Sequence, residues 1–161
     1  MPEIVFDCCC ISNFALSGSL YILESLYDKS AYITNFVSAE ITRGIQQGHN
    51  DLKKVQAALD KGWLREANVI TQKEKSLCEA LSVSLGLGEV ASIAIAKSRG
   101  FIFSSDDRAA RREARLLEVK LTGTINILKK AVTHEIIKLN EGNLFLAKMI
   151  KTGFYSPINN L

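Results

Sequence analysis

Five acidic residues fall where an apolar run ends or a helical pattern runs. At such places a charge is costly unless something compensates it. Asp7 closes the apolar run Ile4-Val5-Phe6 and is followed by three cysteines, Cys8, Cys9 and Cys10. Glu40 sits among the helically spaced Val37, Ile41 and Ile45. Glu89 follows Gly86-Leu87-Gly88, and Asp106 and Asp107 follow Phe101-Ile102-Phe103-Ser104-Ser105. Each acid has an ordinary role open to it. Asp is a common helix N-cap, a first-turn Glu faces the helix dipole, and Glu40 can be a solvated helix-face acid. Brought together, however, such acids repel one another, and a divalent cation is the simplest compensation. Carboxylate oxygens suit Mg2+ or Mn2+, and a pair of such ions about 4 Å apart activates a water and steadies the leaving oxygen of a phosphodiester. That chemistry needs no nucleophilic side chain, and the chain has only two histidines.

The elements that must position these acids alternate between strands and helices. Short apolar runs predict strands at Ile4-Val5-Phe6, Ala31-Tyr32-Ile33-Thr34 and Phe101-Ile102-Phe103-Ser104, with shorter ones at Trp63-Leu64 and Val119-Lys120-Leu121. Helical spacing predicts helices over 16–26, with Gly18-Ser19 as a break, around Val37–Ile45, and over 52–59, 73–85, 89–97 and 106–117. Further helices begin at Thr124 and cover 139–149. The alternation implies a three-layer α/β/α fold with a mainly parallel central sheet, whose ligands bind beyond the carboxyl ends of the strands. Asp7 and the Asp106-Asp107 pair follow two of those ends.

The 161 residues, 47% apolar and 23% charged, make one domain's length and exclude a disordered, collagen-like or coiled-coil chain. We expect a single domain over 1–150 and a loosely structured C-terminal tail over 151–161. No 18-residue apolar run exists, so no membrane span is expected, and no basic stretch precedes the first apolar run, which argues against a signal peptide. The cysteines suit neither a disulfide framework nor a zinc spacing; as buried, reduced thiols they place the protein in the cytoplasm. A net charge of +3 permits a nucleic-acid partner without arguing for one.

Several segments resemble the PIN-domain nucleases. Ile4-Val5-Phe6-Asp7 with Ile11-Ser12-Asn13-Phe14 is similar to that family's opening. Val37-Ser38-Ala39-Glu40-Ile41 is similar to its second motif, and Gly86-Leu87-Gly88-Glu89-Val90-Ala91-Ser92-Ile93-Ala94 to its third. Phe103-Ser104-Ser105-Asp106-Asp107-Arg108-Ala109-Ala110-Arg111 is similar to the fourth, and Gly123-Thr124 with Ile127-Leu128 to a segment of one prokaryotic subgroup. The resemblance runs from residue 3 to about 131. It implies a Mg2+- or Mn2+-dependent endoribonuclease, commonly the VapC-type toxin of a toxin–antitoxin pair. Such a protein would act on RNA, pair with a cognate antitoxin and form a homodimer. By this resemblance Asp7, Glu40, Glu89 and Asp107 carry catalysis and Asp7, Glu89 and Asp107 bind metal, with Asp106 competing for the last place. Two positions depart from the pattern. Cys9 stands two after Asp7, where Ser or Thr is usual, and Asn126 replaces the second Gly of the Gly-Thr segment. They leave open a PIN-like nucleic-acid- or protein-binding module with little or no catalysis.

Between Lys97 and Lys130 nine basic residues face four acids. Arg108, Arg111, Arg112 and Arg115 follow three- and four-residue steps and predict one basic helix side beginning at the proposed metal site. Phosphate contacts from it would position a nucleic acid without reading its sequence. No aromatic residue interleaves with these arginines to suggest base stacking.

Overall fold

A computed structural model describes residues 2–161 of the chain. Five short strands form one sheet: β1 (Ile4–Phe6), β2 (Ala31–Ile33), β3 (Leu64–Glu66), β4 (Ile102–Ser104) and β5 (Leu121–Thr122), in the order β3-β2-β1-β4-β5. Every neighbouring pair is parallel. All three residues of β1 are fully buried, as expected of a central strand covered on both faces. The strand's period of two divides them. Ile4 and Phe6 join one core, with Ile11, Phe14, Leu23, Ile41 and Leu128. Val5 joins the other, with Ile93, Phe103, Ala110 and Ala114. The fold is thus three-layered, as the alternation of elements implied.

The helices are α1 (Cys8–Leu16), α2 (Leu20–Tyr27), α3 (Asn35–Gln46), α4 (Lys53–Lys61) and α5 (Gln72–Leu81), followed by α6 (Leu87–Arg99), α7 (Arg108–Leu116), α8 (Thr124–Thr133) and α9 (Leu139–Lys151). The expected helix over 16–26 is corrected. Its N-terminal part belongs to α1, which begins at the cysteines because Asp7 caps it, and α2 leaves at 117° after Ser17-Gly18-Ser19. Gly18 makes that corner with φ +77°, a region open to glycine. The basic helix starts at Arg108 rather than Asp106, because Asp107 is its N-cap. The last strand shifts to Leu121–Thr122, paired with Phe103 and Ser104. Beyond Lys151 no helix or strand follows, yet Phe154, Ile158 and Leu161 pack against the core. No single helix among the described residues is long and apolar enough to cross a membrane.

One half-buried ion pair ties the sheet edge to the layer carrying α6. Arg99 Nε donates to Glu74 Oε1 at 2.8 Å, and Arg99 Nη2 donates to the Asn68 carbonyl at 2.6 Å. Glu74 also caps α5, accepting from the Ile70 and Thr71 amides at 2.8 and 3.2 Å. Arg99 holds the Glu74 carboxyl down at about 2, with burial opposing and the two amides assisting. Its contribution is complete above the ordinary carboxylate range and is lost as pH falls through about 2. Arg99→Met leaves that 1%-exposed carboxylate unpaired and should lower unfolding free energy by about 2–3 kcal/mol at pH 7, measured by urea denaturation.

Candidate active site

The chain builds β1, β2 and β3 outward to one side and then returns to place β4 and β5 on the other. The carboxyl ends of β1 and β4 therefore flank the point where strand order reverses, and there the helices part to leave a crevice. The Asp7 amide donates to the Ser104 carbonyl at 3.0 Å and locks the two ends together. Asp7 thus leaves β1, and Ser105, Asp106 and Asp107 leave β4, at one place.

Asp7 is only 3% exposed. Its Oδ1 accepts the Cys10 amide at 2.7 Å, which caps α1. Burial pushes its carboxyl up to about 7; the Ser105 hydroxyl and the Cys10 amide oppose this, and the charges of Asp106 and Glu89 add to it. Glu89 lies in the first turn of α6, where its Oε2 accepts the Gly86 amide at 3.2 Å. Its carboxyl is raised by burial and by Asp107 and Glu40, against the Gly86 amide. Glu40 reaches the same cleft from α3. A Cβ on Gly88 would stand 2.7 Å from Glu40 Oε1 and 3.2 Å from Val37 Cγ2, so glycine leaves the Glu40 carboxylate its place between α6 and α3.

The two adjacent aspartates are held differently. Asp106 Oδ1 accepts the Thr124 amide at 2.9 Å, and Asp106 Oδ2 accepts the Thr124 hydroxyl. Asn13 Nδ2 donates to the same Thr124 oxygen at 3.2 Å. Gly123 makes room, since a Cβ there would lie 2.6 Å from Asp106 Oδ1. Asp107 Oδ2 caps α7 through the Ala110 amide at 2.8 Å, and among the described residues no hydrogen bond engages its Oδ1. Asp106 is thus the tie between the end of β4 and α8, and Asp107 keeps a free oxygen.

A cleft of about 150 Å3 is lined by Asp7, Cys8, Cys9, Glu40, Gly86, Gly88 and Glu89. Beside it one of about 350 Å3 is lined by Cys8, Cys9, Ser12, Asn13, Asp106, Asp107 and residues 152–155. Cys9 belongs to both. Its thiol is pushed up to about 11 by burial and then by Asp7, Glu40, Glu89 and Asp107, so four carboxylates act on one sulfur. Cys9 is exposed, which corrects the expectation of three buried thiols; Cys10 is buried and Cys8 half-buried. The raised thiols remain protonated and are poor ligands for a hard cation.

The ion pairs among the described residues are Lys54–Asp51 and Arg99–Glu74, so no Lys or Arg pairs with any of the five acids. Nor do three His, Cys, Asp or Glu side chains converge there into a ready-made metal cage. The donor set still fits Mg2+ or Mn2+. Such ions commonly bind through one or two carboxylates while keeping several waters. The like-charged oxygens otherwise lack compensation.

Of the four arginines, Arg111 is not a free phosphate contact. Its Nη1 donates to the Ser105 and Thr122 carbonyls at 2.7 and 2.9 Å, clamping β4 to β5. Arg108, Arg112 and Arg115 are exposed along α7. Sequence reasoning passed over Lys129 as a site residue, and over Phe154 and Tyr155. All three line a further cleft of about 340 Å3 that also reaches Asp106. Lys129 was visible only as one of many basic residues, and no pattern marked the tail.

A doubly wound α/β domain with an acid-lined crevice at its strand-order reversal is defined by this fold and site. The family model DUF3368, a PIN domain, matches residues 3–160, and the chain belongs to the PIN-domain family of nucleases, which generally use divalent metal ions. No curated protein matches it. Among solved structures, PAE2754 from Pyrobaculum aerophilum is similar with a TM-score of 0.58 at 13% identity, over 82% of this chain and 96% of that one. VapBC2 from Rickettsia felis, bound to a DNA fragment from their promoter, is similar with a TM-score of 0.54 at 15% identity, over 75% of this chain and 98% of that one. These likenesses share the fold.

Because the folded Asp7 carboxyl is raised to about 7, its protonated form stabilises the fold, and that stability is lost as pH rises from about 4 through 7. Metal-free protein should melt roughly 5–10 °C lower at pH 8 than at pH 5, and Asp7→Asn, which can still cap α1, should remove most of the difference in a calorimetric scan. Gly88→Ala should displace the Glu40 carboxylate, which a crystal structure of the variant would show as a changed Glu40 rotamer.

Proposed function

We propose that this protein is a Mg2+- or Mn2+-dependent endoribonuclease. The observation that carries this reading is the group of acids at the carboxyl ends of β1 and β4, which line two adjoining clefts with no basic side chain among the described residues paired to them. Asp7, Glu89 and Asp107 would hold the cation. Asp107 is preferred over Asp106 because both Asp106 oxygens already accept from Thr124. When bound, the ion lowers the pKa of a water and offsets charge on the phosphodiester. Glu40, across the cleft, would take the proton from the attacking water. Water would attack phosphorus while the bond to the leaving ribose oxygen breaks. Thr124 and Asn13 keep Asp106 fixed, and Arg108, Arg112 and Arg115 would meet the phosphates flanking the cut.

Family membership supports the nuclease activity. The fold shared with VapBC2 supports a VapC-type toxin that a cognate antitoxin restrains. Such a toxin would act as a homodimer, and its free cysteines fit a reducing cytoplasm. Labelled single-stranded RNA should be cut by the wild type with Mg2+ or Mn2+. Asp7→Asn and Glu89→Gln should each slow cleavage by about two orders of magnitude or more, and equal cleavage by wild type and Asp7→Asn ends this reading. Induced expression should arrest growth, and co-expression of a small neighbouring gene product should relieve it. A second reading, a binding module without catalysis, is favoured by one observation. The protonated Cys9 thiol stands amid the acids where the family usually carries a hydroxyl. Titration calorimetry separates the two, because absence of Mn2+ heat supports the module and micromolar Mn2+ binding the nuclease.

A further inference from the structure

The segment after α9 follows a fixed path beside the acid cleft. The Phe154 amide donates to the Met149 carbonyl at 2.9 Å, and Gly153 turns the chain with φ +115°. This closes α9 in the manner of a Schellman motif. Across Pro157, Ser156 Oγ donates to the Ile158 carbonyl and accepts from the Ile158 amide. At the far end the Leu161 amide donates to Asn143 Oδ1 at 2.8 Å, and Leu161 seats over Gly142, where a Cβ would come within 2.7 Å of its Cδ1. Phe154, Ile158 and Leu161 pack inward.

Tyr155 therefore points outward from a segment anchored on both sides, and it is 95% exposed. A large aromatic so placed gains nothing from the core it leaves. Tyr155 and Phe154 are common to two clefts, of about 350 and about 340 Å3, that meet at Asp106. The first continues to Asp107 and Cys9. The second carries Lys129 and Asn126. An aromatic face, an exposed cation and an amide thus border a groove leading to the acids, and each cleft suits one nucleotide in size.

We infer that Tyr155 is a base-stacking residue that selects single-stranded RNA, holding a nucleotide next to the scissile phosphate while Lys129 contacts the adjoining phosphate. The inference rests on the nuclease reading for its substrate class. A base can lie on the Tyr155 ring only when unpaired, because a duplex keeps its faces stacked on neighbours. Stacking is indifferent to base identity, so this site sets strandedness and register rather than sequence.

Binding of a fluorescein-labelled 12-nucleotide RNA in EDTA tests this without turnover. Tyr155→Ala should weaken binding about tenfold, the size of one lost base–aromatic stack, while Tyr155→Phe stays within twofold of wild type. Tyr155→Trp should bind as tightly as wild type, and its fluorescence should be quenched by the single strand but not by duplex RNA of the same sequence. Trp63, the natural tryptophan, is 5% exposed and supplies a constant background. Circular dichroism should show every variant folded. Tyr155→Ala binding within twofold of wild type, equal quenching by the duplex, or no RNA binding by the wild type overturns the inference, the last assigning the groove to a protein partner. If the wild type binds in a Tyr155-dependent way yet cleaves nothing with Mg2+ or Mn2+, the catalytic reading falls and this one stands. Cleavage without Tyr155-dependent binding gives the reverse.

Discussion

A carboxylate placed at the end of the most buried strand constrains the rest of this molecule. β1 lies at the centre of a parallel sheet, covered on both faces, and Asp7 follows it without leaving the interior. A lone charge there would be costly. The fold answers with the α1 amide of Cys10 and the Ser105 hydroxyl, and these do not suffice, because the Asp7 carboxyl still rises to about 7. Asp106, Glu89 and their neighbours increase the strain instead of relieving it. Stability alone would favour an apolar or amide residue at this position, and an acid here fits the divalent-ion use general to PIN nucleases.

The side chains proposed to hold the cation also cap helices. Asp7, Glu89 and Asp107 each satisfy amides at or beside a helix start, of α1, α6 and α7 in turn, and those caps fix where the carboxylates sit. An N-cap uses one oxygen and leaves the other available, as at Asp107. Structural and functional roles are therefore compatible at these acids. Asp106 shows the contrast, since Thr124 takes both its oxygens and turns it into a tie between β4 and α8. Arg111 does the same for β4 and β5. Glycines at 88 and 123 give the space that these approaches demand.

Much of this was legible along the chain. The strand-helix alternation implied a parallel three-layer sheet because buried strands read as continuous apolar runs, and Ile4–Phe6 and Phe101–Ser104 do so plainly. Asp7, Glu89, Asp106 and Asp107 stood out because each followed such a run or opened a helix, whereas Glu40 lay inside a helical pattern. The cysteines misled, because a small residue of middling polarity fits a buried strand end, a helix or a cleft wall equally well. The break at Gly18 was visible. Its 117° corner, and the start of α1 eight residues upstream of that expected helix's, depend on the Asp7 cap and on packing against Phe14 and Leu23.

Most of the elements, their order and the identity of the acids could be read along the chain, because apolar periodicity and capping are local properties. Only the tertiary structure decided which carboxylates are spent on amides, that Arg111 binds backbone rather than solvent, and that the tail brings Tyr155 to the acid crevice. Those outcomes bring together residues far apart in the chain, such as Cys9 and Tyr155 on the walls of one cleft, and no spacing rule spans such a distance. Where the strand order reverses is likewise a property of the assembled sheet, and that reversal makes the crevice.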